Sequence, residues 1–237
     1  MESFELIQEI RSYCRANASA EQLQKSQRFF KEEFVGYGLT APQIHGRVKE
    51  LLKQGGFDLF TIQDAIPELM KSGMYEEISM GLLLLNGLKK QFTPETFQRI
   101  GDWFSFSITN WAHADTLGMF ILPVFLDKKI IEMNDFCSWL GSSFKFQRRC
   151  VPVTLIKHMK KTKQVMPSIQ LVAGLMADPE REVHQGMGWF LREAWKIIPA
   201  EVEPFLEQHK DTAPRLIIQY ACEKMTPENK QRFKKTK

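Results

Sequence analysis

Residues 40–54 read Thr40-Ala41-Pro42-Gln43-Ile44-His45-Gly46-Arg47-Val48-Lys49-Glu50-Leu51-Leu52-Lys53-Gln54. The Thr40 hydroxyl can accept a bond from a first-turn N–H, and Gln43, three residues on, can bond back to the Thr40 N–H. Ile44, Val48, Leu51 and Leu52 then share one face at helical spacing. A helix over 41–54 follows. The same start signal recurs on either side of it. Ser19-Ala20-Glu21-Gln22 repeats the reciprocal cap, while Thr93-Pro94-Glu95, Asp178-Pro179-Glu180 and Thr226-Pro227-Glu228 share another chemistry. Each offers a capping oxygen, a proline at the first helical position where its missing N–H costs nothing, and a carboxylate at the positive end of the dipole. In the first segment Leu6, Ile7 and Ile10 lie on one face, and no segment sustains the period-two alternation of a strand.

The expectation is therefore an all-α chain, with helices near 2–16, 20–35, 41–54, 58–71, 74–90, 94–109, 115–126, 132–141, 144–161, 165–177, 179–197, 200–209, 211–224 and 227–236. No Gly/Ser-rich linker divides it, so 1–237 reads as one domain. Helices of about 15 residues, paired at intervals of roughly 35 to 45, are what a HEAT-like helical-repeat solenoid requires. A compact helical bundle is the alternative, and periodicity does not separate the two.

Composition removes several classes. With 43% hydrophobic and 25% charged residues among 237, the chain is neither disordered nor collagenous. Its longest apolar run, Gly118 to Leu126, is about half a bilayer crossing, and the opening Met1-Glu2-Ser3-Phe4-Glu5 lacks the basic start of a signal peptide. No membrane partner is expected. Cys14, Cys137, Cys150 and Cys222 form no CxxC pair, and His45, His113, His158, His184 and His209 show no paired ligand spacing. No metal site is read from them, and a reducing cytoplasm is the expected compartment. GxSxG, Walker and dinucleotide glycine patterns are absent from the sequence, so no cofactor is expected.

The formal charge is only +4, but it is unevenly laid out. Between Asp135 and Asp178 no acidic residue occurs, yet the stretch holds Lys145, Arg148, Arg149, Lys157, Lys160, Lys161 and Lys163. Cations so concentrated can neutralise successive phosphates; the plainer reading is a solvated helical face. The run Arg232-Phe233-Lys234-Lys235-Thr236-Lys237 invites the same pair of readings.

Two elements could carry chemistry: Asn110-Trp111-Ala112-His113-Ala114-Asp115, and Gly186-Met187-Gly188-Trp189-Phe190-Leu191-Arg192-Glu193. On a helix Trp111 and Asp115, four apart, project to the same side, setting an aromatic face beside a carboxylate. Without function they would be a core tryptophan and a capping aspartate. Gly186 and Gly188 each cost about 1 kcal/mol inside a helix, so something must approach closely, either another helix or a nucleic-acid backbone.

Phe34-Val35-Gly36-Tyr37-Gly38-Leu39-Thr40-Ala41-Pro42, Trp111-x-x-x-Asp115, Gln147-Arg148 after a tryptophan-bearing helix, and Gly188-Trp189-x-Leu191-Arg192-Glu193 together resemble the DNA alkylation repair family of AlkD-type glycosylases, across nearly the whole chain. The resemblance implies a HEAT-like solenoid whose concave face holds duplex DNA, acting as a monomer to release cationic bases such as 3-methyladenine and 7-methylguanine. It places the active-site tryptophans on Trp111 and Trp189, the carboxylate on Asp115 and a basic DNA contact on Arg148, and Arg192 matches a recurrent family residue; Arg192 and, from the basic stretch, Arg149, Lys145, Lys157, Lys160 and Lys161 are further DNA-binding candidates. Ala112, His113 and Ala114 depart from the family pattern, and Pro152 is expected to interrupt a helix the family runs unbroken. The implied activity is hydrolysis of the N-glycosidic bond, with Asp115 stabilising an oxocarbenium-like sugar. A non-catalytic helical-repeat DNA-binding or scaffold protein is the alternative.

Overall fold

The computed structural model describes residues 1–30, 34–106 and 108–235, and these contain helices and loops without a strand. Contacts divide the chain into two compact units, Met1–Thr109 and Asn110–Lys237. The first holds α1 (Ser3–Ala16), α2 (Ala20–Gln27), α3 (Ala41–Gln54), α4 (Leu59–Lys71), α5 (Tyr75–Gly87) and α6 (Pro94–Trp103). The second holds α7 (Trp111–Thr116), α8 (Leu122–Asp127), α9 (Cys137–Leu140), α10 (Lys145–Thr162), α11 (Val165–Val172), α12 (Arg181–Trp195), α13 (Pro199–His209), α14 (Arg215–Ala221) and α15 (Pro227–Arg232).

In the first unit α5 packs against α3 and α4, burying Ile78, Leu82, Leu84 and Leu85. Two carboxylates at its start are also buried, and both are satisfied. Glu76 accepts the N–H groups of Tyr37, Gly38 and Leu39 at 2.8, 2.8 and 3.0 Å, while Glu77 accepts Arg11 Nε at 3.0 Å and the Tyr37 hydroxyl at 2.7 Å. The Phe34–Pro42 string is thereby clipped to the head of α5, and burial together with the bond to Glu77 pushes the Tyr37 phenol up to about 12.

The caps place most helices as the sequence does. Ser19, Thr93 and Thr226 accept the N–H groups of Gln22, Thr96 and Asn229, and Gln43 Oε1 accepts Thr40 N at 2.8 Å. Elsewhere the boundaries move. The helix expected over 20–35 ends at Gln27, whose side chain takes the Phe34 N–H at 2.7 Å; Lys31, Glu32 and Glu33 lie outside the described residues. The one expected over 94–109 stops at Trp103, with Ser107 likewise outside. That expected from 115 starts at Trp111, because Asn110 Oδ1 caps the His113 N–H at 3.0 Å. Pro214 delays the start of α14 to Arg215, since the residue before a proline avoids helical geometry. Asp178 does not cap α12, which begins at Arg181 after Glu180. At the C-terminus α15 ends at Arg232, and Thr236 and Lys237 of the basic run fall outside the described residues.

Two prolines bear on the second unit. Pro152 does not break α10, which runs unbroken through it; Val151, Pro152 and Val153 are all buried, and packing around them holds the turn despite one lost ladder bond. Pro123 acts differently. Between α7 and α8 the helix widens over Leu117–Ile121, and Leu122 N donates to Leu117 O, five residues back. Widening relieves the clash a proline ring makes with the carbonyl four residues before it.

Around α10 the neighbours come close. A Cβ on Gly118 would lie 2.8 Å from Val153 Cγ1, and one on Gly186 3.1 Å from Arg149 Cγ, so α10 lies between the α7–α8 segment and α12. On α12, a Cβ at Gly188 would meet Tyr220 Cβ at 2.4 Å and the Ile217 carbonyl oxygen at 2.9 Å. Close helix approach therefore accounts for both glycines. Replacing Gly188 by alanine gains about 1 kcal/mol of helix propensity but forces α14 away at about 1–3 kcal/mol. Gly188→Ala is expected to lower the urea midpoint without changing its slope, whereas propensity alone would raise it.

Candidate active site

The first turn of α7 presents Trp111 at the surface, 38% exposed, with Asp115 one turn further on. Asp115 is not left to itself. Arg149 Nε and Nη2 donate to its two oxygens at 2.8 Å each, a two-pronged bond, and Arg149 Nη1 donates to the Glu182 carbonyl at 2.6 Å. Such a pair fixes both the position and the plane of the carboxylate. Behind it, the buried Cys150 thiol donates to Ala114 O at 3.0 Å, tying the backbone beside Asp115 to α10. Burial raises the Cys150 thiol well above its ordinary value, with the nearby Asp115 charge adding to it. That thiol stays protonated and keeps donating.

Arg148 turns the other way. Its Nε and Nη2 donate to Asp178 at 2.6 and 3.1 Å, and its Nη1 to Ser142 O at 2.6 Å. The side chains of Arg148 and Asp178 are 11% and 4% exposed, and that of Arg149 is 6% exposed. Lys145 binds Glu182 at 3.0 Å, Lys160 binds Glu193 at 2.5 Å, and Lys161 binds Asp127 at 2.9 Å. Arg192 pairs with Glu223 and Glu193. Lys157 Nζ sits over the Phe120 ring, 4.5 Å from its centre. The stretch that carries no acid in sequence is thus supplied with acids in space, from α7, α8, α12 and the segment before α12. Trp189 stands on α12 three residues beyond Gly186, where that helix meets Arg149, and is partly buried. So the fold joins Asp115 to Arg149 and sets Trp111 on the same helix, while Arg148, Lys145 and Lys161 go to other carboxylates and Lys160 and Arg192 share Glu193.

Sequence reading missed the partners Glu182, Asp178 and Glu193, and the cap Asn110. Asn110 carried the one local signal, a capping side chain directly before the tryptophan; its amide also meets His113 Nδ1 at 3.0 Å.

Residues 10–225 match the sequence family described as DNA alkylation repair enzyme. The chain belongs to that family. Among curated proteins none matches it in sequence. Among solved structures it is similar to a predicted DNA alkylation repair enzyme from Enterococcus faecalis, at 16% identity with a TM-score of 0.70, covering 89% of this chain and 97% of that one. It is also similar to AlkD2 from Streptococcus mutans, at 19% identity with a TM-score of 0.60, covering 92% of this chain and 99% of that one. The all-α helical-repeat fold is shared with these proteins. No helix among the described residues is long and apolar enough to cross a membrane.

For this family member Glu182 and Glu193 define an acid limit. Burial acts to raise Glu182 and Glu193, but the bonds from Lys145 to the first, and from Lys160 and Lys196 to the second, outweigh it and leave both below the ordinary 4.5. Groups that hold protons less tightly folded than unfolded stabilise fully above their unfolded value and lose that contribution as the pH falls through the folded one. Thermal midpoints should therefore hold steady down to about pH 5 and then drop. Glu193→Gln should start lower at pH 7 and show a shallower acid decline; a parallel decline would remove Glu193 from the account.

Proposed function

We propose that this chain is a monofunctional DNA glycosylase, hydrolysing the N-glycosidic bond of cationic alkylated purines of the 3-methyladenine and 7-methylguanine type in duplex DNA, as a monomer without metal or cofactor. The observation that carries the proposal is the Asp115 carboxylate clamped by Arg149, one turn from an exposed tryptophan. A purine alkylated at N3 or N7 already bears a positive charge. When its bond to C1′ breaks, the electron pair leaves with a neutral base, so no acid is needed. Positive charge builds instead on the deoxyribose, and water adds at C1′ and loses a proton to complete the hydrolysis. A fixed carboxylate beside C1′ stabilises that charge. Trp111 and Trp189 offer electron-rich faces to sugar and lesion, each worth about 0.5–2 kcal/mol.

The surface lysines serve the phosphates in this reading. Lys145 and Lys160, tied to Glu182 and Glu193, keep side chains 36% and 46% exposed, and the Lys161–Asp127 pair, exposed on both sides, is worth about 0–1 kcal/mol. A phosphate can replace the carboxylate. Lys157 and Arg192 join them, while the buried Arg148 and Arg149 act inside the protein, Arg149 as a positioning residue for Asp115.

Arg149 also tempers the electrostatics. At an effective dielectric near 20, a carboxylate about 4 Å from the developing charge contributes about 4 kcal/mol, and a guanidinium about 8 Å away opposes with about 2. The net of about 2 kcal/mol corresponds to roughly thirtyfold in rate. Removing only the carboxylate leaves the guanidinium unopposed, so Asp115→Asn should lose about a thousandfold in release of 7-methylguanine. Asp115→Asn combined with Arg149→Met removes both charges and should lose only about thirtyfold. Chromatography of bases released from methylated duplex DNA measures this. A double variant as slow as the single one would end the opposing role of Arg149, an Asp115→Asn variant as fast as the parent would end the electrostatic role of Asp115, and a parent that releases no base would leave a non-catalytic DNA-binding protein.

A further inference from the structure

Phe120 is a large apolar side chain with 53% of its surface exposed, on the wide turn that follows Asp115. At 3.6 residues per turn, position 120 would stand about 140° round the helix from position 115. A turn closed five residues back brings it towards the face that carries Asp115 and Trp111. The neighbouring helix runs beside this whole segment. Arg149 holds Asp115, Gly118 lies on Val153, and Lys157 covers Phe120 at 4.5 Å. Positions 149, 153 and 157 recur every four residues, which is one face of α10. An exposed tryptophan, a clamped carboxylate and an exposed phenylalanine under a lysine thus follow one another along a single segment beside α10.

We propose that Phe120 is a stacking contact for the nucleotides flanking the alkylated one. Five helical residues rise no more than about 7.5 Å, and successive nucleotides of a strand lie about 3.4 Å apart, so the ring reaches within two base steps of the position facing Asp115. An aromatic face takes any base, because every base has a π surface, and apolar side chains wedged between base steps are a recurring way to open a duplex. Lys157 and the neighbouring Lys160 and Lys161 supply the cations that a strand laid over the ring requires. This placement rests on the proposed function for the location of the lesion, but not on the chemistry of base release.

The test uses the full chain and duplex DNA carrying 7-methylguanine with the fluorescent base 2-aminopurine one, two or six steps away. Binding of the parent should change the 2-aminopurine signal at one or two steps and not at six. Phe120→Ala should abolish the near signal and raise KM about tenfold, with kcat falling less than threefold. Phe120→Trp should restore both, and Phe120→Leu, apolar without an aromatic face, should not. Lys157→Met should flatten the salt dependence of binding by about one unit of slope. A near signal that survives Phe120→Ala, or full rescue by leucine, overturns the stacking contact. A parent that shows the Phe120-dependent signal yet releases no base overturns the glycosylase reading alone.

Discussion

Arg148 and Arg149 are consecutive on α10, about 100° apart around its axis, and each grips a carboxylate from a different segment: Asp178 before α12 and Asp115 in α7. Two neighbouring cations on one helix thereby orient two separate pieces of chain. Both pairs are largely removed from water. Breaking one partner of such a pair strands a charge that cannot be solvated, and that penalty, more than the attraction itself, makes the arrangement hard to undo. The aim of Asp115 follows from this double grip, while Asp178, held by Arg148, still accepts the Glu180 N–H at 2.8 Å ahead of the first turn of α12.

The same grip decides what the basic stretch can offer to DNA. Cations whose side chains are buried with carboxylates contribute nothing to counterion release, whereas those paired at the surface can exchange one anion for another. The division falls within α10 itself: its N-terminal arginines face inward, and its later lysines are exposed. Association with DNA would then draw on fewer charges than the sequence displays.

Local chemistry was legible in the sequence, and distant chemistry was not. Thr40, Thr93 and Thr226 act within three residues of themselves, so a reader of the chain sees cap and recipient together. Trp111 and Asp115 were visible for the same reason. Asp115 and Arg149 are 34 residues apart, Arg148 and Asp178 are 30 apart, and no window of sequence contains both the cation and the acid that neutralises it. The acid-free stretch therefore read as a positive surface. Asn110 was missed because His113, at the third helical position, lacks the carboxylate or amide that completes a capping box. Pro152 misled in the opposite direction, since burial on all sides lets a helix keep a residue that would break it in isolation.

The wide turn at Leu117–Ile121 has a bearing on how this chain is compared with its relatives. A turn closed at five residues instead of four holds one residue more than a regular helix of the same height. Any relative whose helix is regular here must carry one residue fewer between the aspartate and the proline, so a correct alignment opens a single-residue gap inside a helix, where gaps are ordinarily penalised. At 16–19% identity little in the sequence would reveal the slip, and positions matched between this turn and the next shared motif would shift by one.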